Sequence, residues 1–188
     1  YAFACRLGLS RGASTLAAAL WTASGPMLSL VSLWNHLAAA AWMPWTFLAA
    51  DVTLAAGRLR PTIFWGITLA APILGGSPDL TLLTASAAFL HGSRHLRSLP
   101  LLGREIRERL LASLAAGTFA LALSAAQWIP SLEAASRSAR ADLPSFVRTY
   151  WSVPPLLAAQ TIIPLYLDRL PLHAEIRSSL YEGREPFL

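Results

Sequence analysis

HGSRHLRSLPLLGREIRER, residues His91 to Arg109, gathers Arg94, Arg97, Arg104, Arg107 and Arg109 between two long apolar runs. In a soluble helical protein such a stretch is a solvated helix face or a nucleic-acid patch. Between apolar runs it reads as a loop held on the cytoplasmic side of a membrane, because short loops rich in arginine stay inside. The rest of the topology hangs from this loop.

Composition points the same way. Apolar residues make up 55% of the chain and charged residues 13%, against roughly 45–50% and about 25% in soluble domains. Fifteen basic and ten acidic residues among 188 are too few to cover a water-facing surface of this size, so lipid is expected to cover much of it. The formal net charge of +5 lacks the interleaved basic and aromatic residues of a nucleic-acid surface, and nucleic acid is set aside as a partner. Cys5 is the only cysteine, which excludes disulfide frameworks and cysteine-ligated metals. All fifteen basic residues are arginine. The chain opens at Tyr1 inside an apolar run with no charged leader, and is expected to be a fragment missing both ends.

The predicted fold is all-α: a polytopic transmembrane helical bundle (residues 1–128) followed by a mostly helical, proline-rich extracytoplasmic or interfacial segment (129–188). Tyr1 to Cys5 reads as the tail of a preceding helix, closed by a turn carrying Arg6 and Arg11. The expected spans are 13–31, broken at Gly25-Pro26; 37–56, with Pro44 inside and Asp51 near its cytoplasmic end; 62–74; 80–90; and 110–128, the cleanest and unbroken. Spans three and four are short for a bilayer that needs about 20 helical residues, so they either tuck in beneath a cavity or form a re-entrant hairpin. Trp34, Asn35 and His36 form an uncharged outer turn. Turns assigned inside carry nine arginines and the short outer turns carry none, the alternation that the positive-inside rule requires.

Four stretches could carry chemistry. Asn35 and His36 serve either as a helix boundary or as groups facing an outer cavity, meeting a phosphate or hydroxyl. Gly75-Gly76-Ser77-Pro78-Asp79 is a tight turn whose Asp79 can cap the next helix; its glycine amides would let a phosphate or sugar approach closely. Glu133, Arg137 and Arg140 fall at i, i+4 and i+7. They make either a surface ion pair or a site for an anionic lipid headgroup, with the carboxylate as base or orienter and the arginines on phosphate. His91 and His95 stand four apart with no ligating carboxylate in the sequence nearby, and are expected to be solvated loop residues rather than a metal site.

Taken in order, RLGLSRGASTLAAALWTASGP, NHLAAAAWMPWTFLAAD, GGSPDLTLLTA, QWIPSLEAASRSAR, WSVPPLLAAQTIIP and YEGREPFL resemble bacterial YfhO-like membrane proteins over nearly the whole chain. The resemblance implies a glycosyltransferase of the GT-C type in the bacterial cytoplasmic membrane, moving a sugar from a polyprenyl-phosphate carrier to an extracytoplasmic acceptor. It implies a catalytic carboxylate in a first external loop, expected upstream of Tyr1. Arg137 and Arg140 are then the phosphate holders, with Glu133, His36 and Asn35 in supporting positions; no cofactor is expected, and a divalent metal is left open. The chain departs from the family pattern at Ser77 and Asp79, where members often carry His and Gln. The competing class is a non-enzymatic polytopic protein, a transporter or a structural subunit, suggested by the proline-interrupted helices.

Overall fold

The structure is a computed structural model that describes residues 1–97, 99–100 and 103–138. Every regular element among the described residues is helical. A short α1 (Ala2–Arg6) turns into α2 (Arg11–Thr22), started by Ser10, whose hydroxyl accepts from the Ala13 amide. The chain breaks where Gly25-Pro26 stands in the sequence. Ser24 caps a new helix, α3 (Gly25–Ser29), that runs into a 3₁₀ turn at Leu30–Ser32. The long α4 (Trp34–Ala56) contains Pro44 and ends at Gly57, whose φ of 62° is the left-handed cap that glycine adopts without penalty. Next come α5 (Leu59–Leu74) and α6 (Pro78–Gly92), then α7 (Arg104–Leu123) and α8 (Ala125–Ser136). Residues Tyr1–Ala134 form one compact unit, and Ala135 begins a second.

Within the first unit α4 is central, packing on α5, α6 and α7, while α5 also packs on α7. The α4–α5 and α5–α6 turns are short, so α4 and α6 run one way and α5 the other. Arg109 near the start of α7 meets the end of α4, so α7 rises beside α5 in the same direction. The described arginines up to Arg109 therefore gather at one end, in the connections α1–α2, α4–α5 and α6–α7.

The packing inverts the pattern of a water-soluble bundle. The buried residues are mostly small or hydroxylated, among them Ala39, Ala40, Ala50, Ala70, Ala116, Thr46 and Thr68. Large apolar side chains face outward: Leu16 and Leu20 on α2, Leu82, Leu83 and Leu90 on α6, Leu111 and Leu114 on α7. Small residues let backbones approach closely where no hydrophobic effect drives helices together. Gly66 shows how close. A Cβ there would stand 2.6 Å from Phe119 Cδ1 and 3.0 Å from the Ala116 carbonyl oxygen.

Two stretches, Arg11–Ser32 and Trp34–Ala56, are long and apolar enough to cross a membrane, or three if the bent pair α7–α8 counts as one span. Two expectations from the sequence differ from the structure. The stretch 110–128, expected as an unbroken span, turns by 69° between α7 and α8. The Ser124 hydroxyl donates back to the Ala120 carbonyl, and the Trp128 indole N–H donates to the Leu121 carbonyl at 2.9 Å. Trp128 thus supplies a donor to a carbonyl that the next turn of helix would have satisfied. Trp34, Asn35 and His36, expected as a turn, are the first residues of α4. Most of the segment 129–188, including PPLLAAQTIIPLYL, lies outside the described residues.

Gly66→Val is expected to lower stability in detergent by about 1–3 kcal/mol, by forcing α5 and α7 apart. Gly117→Ala, where a Cβ meets nothing within 4 Å, should hold or raise it by up to ~1 kcal/mol. Equal melting temperatures for the two variants would contradict the α5–α7 contact.

Candidate functional site

Two polar clusters occupy opposite ends of α4. At the arginine-bearing end, Asp51 is fully buried. Arg6 Nε donates to its Oδ2 at 2.8 Å, and Arg94 Nη2 and His95 Nε2 both reach Oδ1 at 2.8 Å. An ionised carboxylate only accepts, so His95 carries its hydrogen on Nε2. His91 Nε2 stands 3.8 Å from the same oxygen and has no hydrogen-bond partner among the described residues. Its ring packs edge-on against Phe3 and Phe47. Arg109 Nη1 bonds the carbonyls of Leu54 and His95, tying α7 to α4 and to the turn after α6. One carboxylate thus gathers α1, α4 and the α6 terminus, with α7 attached through the backbone.

His91 and His95, expected as solvated loop residues, are instead partly buried against Asp51. Their i, i+4 spacing sets both on the α4-facing side of the turn that ends α6. The carboxylate they meet lies 40 residues before His91 and 44 before His95, a distance at which spacing rules carry no signal. Asp51 is the residue that sequence reasoning underweighted. The available signal was an acid inside an apolar run, which persists only where it is paired.

At the opposite end, Asn35 Nδ2 donates to the Gly76 carbonyl at 3.2 Å, leaving Asn35 Oδ1 turned to His36 Nδ1 at 3.1 Å. His36 Nε2 lies 3.3 Å from Asp79 Oδ2. Both ring nitrogens face acceptors, so the two hydrogen bonds coexist when each nitrogen carries a hydrogen. Gly76, at φ 87°, makes the reversal that brings the α5–α6 turn over the first turn of α4. Ser77 is fully buried beside it, its hydroxyl without a partner among the described residues. Asp79, expected as a cap for the following helix, stands in its first turn and meets His36. Two candidate stretches separated by some forty residues therefore form one polar group, with the Asp79 side chain 69% exposed.

The third stretch is only partly described. Glu133 lies exposed on α8, Arg137 follows the last residue of that helix in the second unit, and Arg140 lies outside the described residues. Among the described residues no group of three His, Cys, Asp or Glu side chains is placed to hold a metal ion.

Comparison with family models, with curated proteins and with solved structures finds no match for this chain. Its class is therefore stated by its fold: an all-helical protein, among the described residues, with two stretches long and apolar enough to cross a membrane.

The Asp51 cluster makes an asymmetric prediction. Asp51→Asn leaves Arg6 and Arg94, each about 40% exposed, free to turn to water, and should cost about 1–2 kcal/mol. The Arg6→Gln/Arg94→Gln double variant leaves a buried carboxylate with only His95 bonded and His91 nearby, and should cost about 3–5 kcal/mol. Thermal unfolding in detergent ranks the two, and the reverse order would mean that the carboxylate is not the buried partner. The outer pair is exposed, so a His36→Ala/Asp79→Ala double-mutant cycle should return a coupling of about 1 kcal/mol or less.

Proposed function

We propose that this chain is the membrane-spanning part of a bacterial YfhO-like glycosyltransferase of the GT-C type, lying in the cytoplasmic membrane with the arginine-bearing end inside. The observation that carries the membrane reading is the inverted packing: alanine, threonine and glycine between helices, leucine outside. Lipid covers those leucines without cost, and water does not. The turns at the arginine-bearing end carry Arg6, Arg11, Arg58, Arg60 and the cluster from Arg94 to Arg109, while Gly75–Asp79 at the other end carries none. That asymmetry supports the orientation.

The enzyme reading draws on the ordered motifs and on the meeting of two of them, NHL and GGSPD, at the end proposed to face outward. In the proposed reaction an acceptor hydroxyl attacks the anomeric carbon and loses its proton to a carboxylate base. The bond from that carbon to the lipid phosphate breaks, and the phosphate leaves with the electron pair. Positive charge near the departing phosphate and a fixed donor or acceptor for sugar hydroxyls both lower the barrier. Arg137 and Arg140 are proposed for the phosphate, with Glu133 beside them. Asn35 and His36, aligned by Gly76 and Asp79, are proposed to position the sugar or its phosphate.

One observation favours the alternative, a non-enzymatic polytopic protein. Asp51, the buried carboxylate of α4, is occupied by donors of its own chain, an arrangement that serves packing rather than chemistry.

Transfer of labelled sugar from polyprenyl-phosphate donors by membranes containing the protein separates the readings. Arg137→Ala, Arg140→Ala and His36→Ala should each lower transfer by about tenfold or more, with membrane insertion unchanged. Transfer untouched by all three would refute the site assignment, and no transfer from any donor sugar would favour the non-enzymatic class.

A further inference from the structure

The Asp51 cluster spends only part of its charge. Arg6 engages the carboxylate through Nε and Arg94 through Nη2, and both side chains remain about 40% exposed. One buried carboxylate thus fixes two forked cations in place, each using a single nitrogen for it. Arg11, on the far side of the α1–α2 turn, adds a third exposed arginine. A guanidinium so oriented suits a phosphate diester, because its donors are already arranged and little freedom is lost on binding.

A second observation lies alongside. Between α1, α2 and α4 runs an open groove of about 540 Å³, walled by Phe3, Ala18, Trp21, Pro44 and Trp45. Its lining is almost wholly apolar, and its volume is in the range of small-molecule sites. The groove and the charge cluster share a wall. Phe3 lines the groove, and its ring also packs on His91, which borders Asp51. Arg6 closes α1 two residues beyond Ala4, another lining residue.

A cationic fork at the end of an apolar groove on the side of a bundle fits one kind of molecule. We propose that this groove holds an anionic phospholipid of the leaflet at the arginine-bearing end, its phosphate on Arg6 and Arg94 and one acyl chain along Phe3, Trp21, Pro44 and Trp45. Charge complementarity selects the headgroup, since the surplus at this end is positive. The groove selects a lipid over a free anion, since inorganic phosphate leaves the apolar wall unfilled. This site stands at the end of α4 opposite Asn35 and His36, so the bound lipid is distinct from any sugar carrier there. The inference rests on the membrane reading proposed above.

The test uses the full chain, delipidated in detergent and titrated with phosphatidylglycerol or phosphatidylcholine of equal chain length, with bound lipid counted by native mass spectrometry. Phosphatidylglycerol should bind at least about tenfold more tightly. Arg6→Gln, which leaves Asp51 paired with Arg94 and His95, should lower that preference about fivefold, weakening phosphatidylcholine less because choline already offsets its phosphate. Ala18→Phe fills the groove and should weaken both lipids, and Trp21→Ala, which removes a wall without crowding, should do the same if the first variant fails to fold. Glycerol 3-phosphate should not displace the lipid. Equal binding of the two lipids, or binding insensitive to both groove variants, overturns the proposal. Displacement by glycerol 3-phosphate overturns the lipid assignment in favour of a free-phosphate site. Release of the protein from membranes by alkaline carbonate would refute the membrane reading itself, whereas a carbonate-resistant protein with no lipid preference refutes this inference alone.

Discussion

A carboxylate removed from water must be neutralised where it stands, and in this protein that demand organises one whole end of the bundle. Asp51 draws Arg6 from α1 and Arg94 and His95 from the turn after α6 onto a single pair of oxygens. The carboxylate has no exposure while its arginines keep a good part of theirs. The energetic dependence is therefore one-sided: the arginines can find water, and Asp51 cannot. Arg109 extends the same knot through two backbone carbonyls. The helix ends at this level are consequently held by directional bonds rather than by bulk apolar contact.

Away from that end the bundle is held differently. Helices meet through alanine, glycine and threonine, and several threonines turn their hydroxyls onto carbonyls, as Thr46 does to Trp42 and Thr68, whereas the Thr53 hydroxyl has no partner among the described residues. Small residues let the backbones come close without large side chains between them. Gly92, where a Cβ would meet Leu54 Cδ1 at 2.6 Å, does for α6 against α4 what Gly66 does for α5 against α7. The apolar bulk is carried on the outside. Such an arrangement offers little to a water-driven collapse and much to a lipid-covered one.

How much of this was legible in the sequence depends on the range of each signal. Helix limits were readable because their causes are local: the Gly25-Pro26 break, Gly57 ending α4 and Pro78 opening α6 all act within a turn. The bend at Ser124 was not, because Gly117 and Pro130 each stand more than a turn away from it and nothing nearer hints that Trp128 will bond back to Leu121. The outer polar group was half legible. Asn35, His36 and the GGSPD turn each stood out, but their union depends on how α4, α5 and α6 pack, which no local spacing reports. The Asp51 cluster was hidden for the same reason, since its members come from four regions and the two histidines looked like solvated loop residues. Glu133 and Arg137 were placed on a helical face by spacing alone, and α8 ends between them. The proposed function rests on the order of the motifs, and Arg140, one of the two arginines it uses, lies outside the described residues.

The separation of these partners along the chain has a consequence for the order in which the protein is made. Arg6 precedes Asp51 by 45 residues, whereas Arg94 and His95 follow it by 43 and 44. When the carboxylate leaves the ribosome, Arg6 has already been synthesised and the other two partners have not. The small helix α1, which contributes little apolar area, is thus the early counterion. It can escort an acidic helix through the interval before α6 is complete, after which the later donors take up the second oxygen and close the knot.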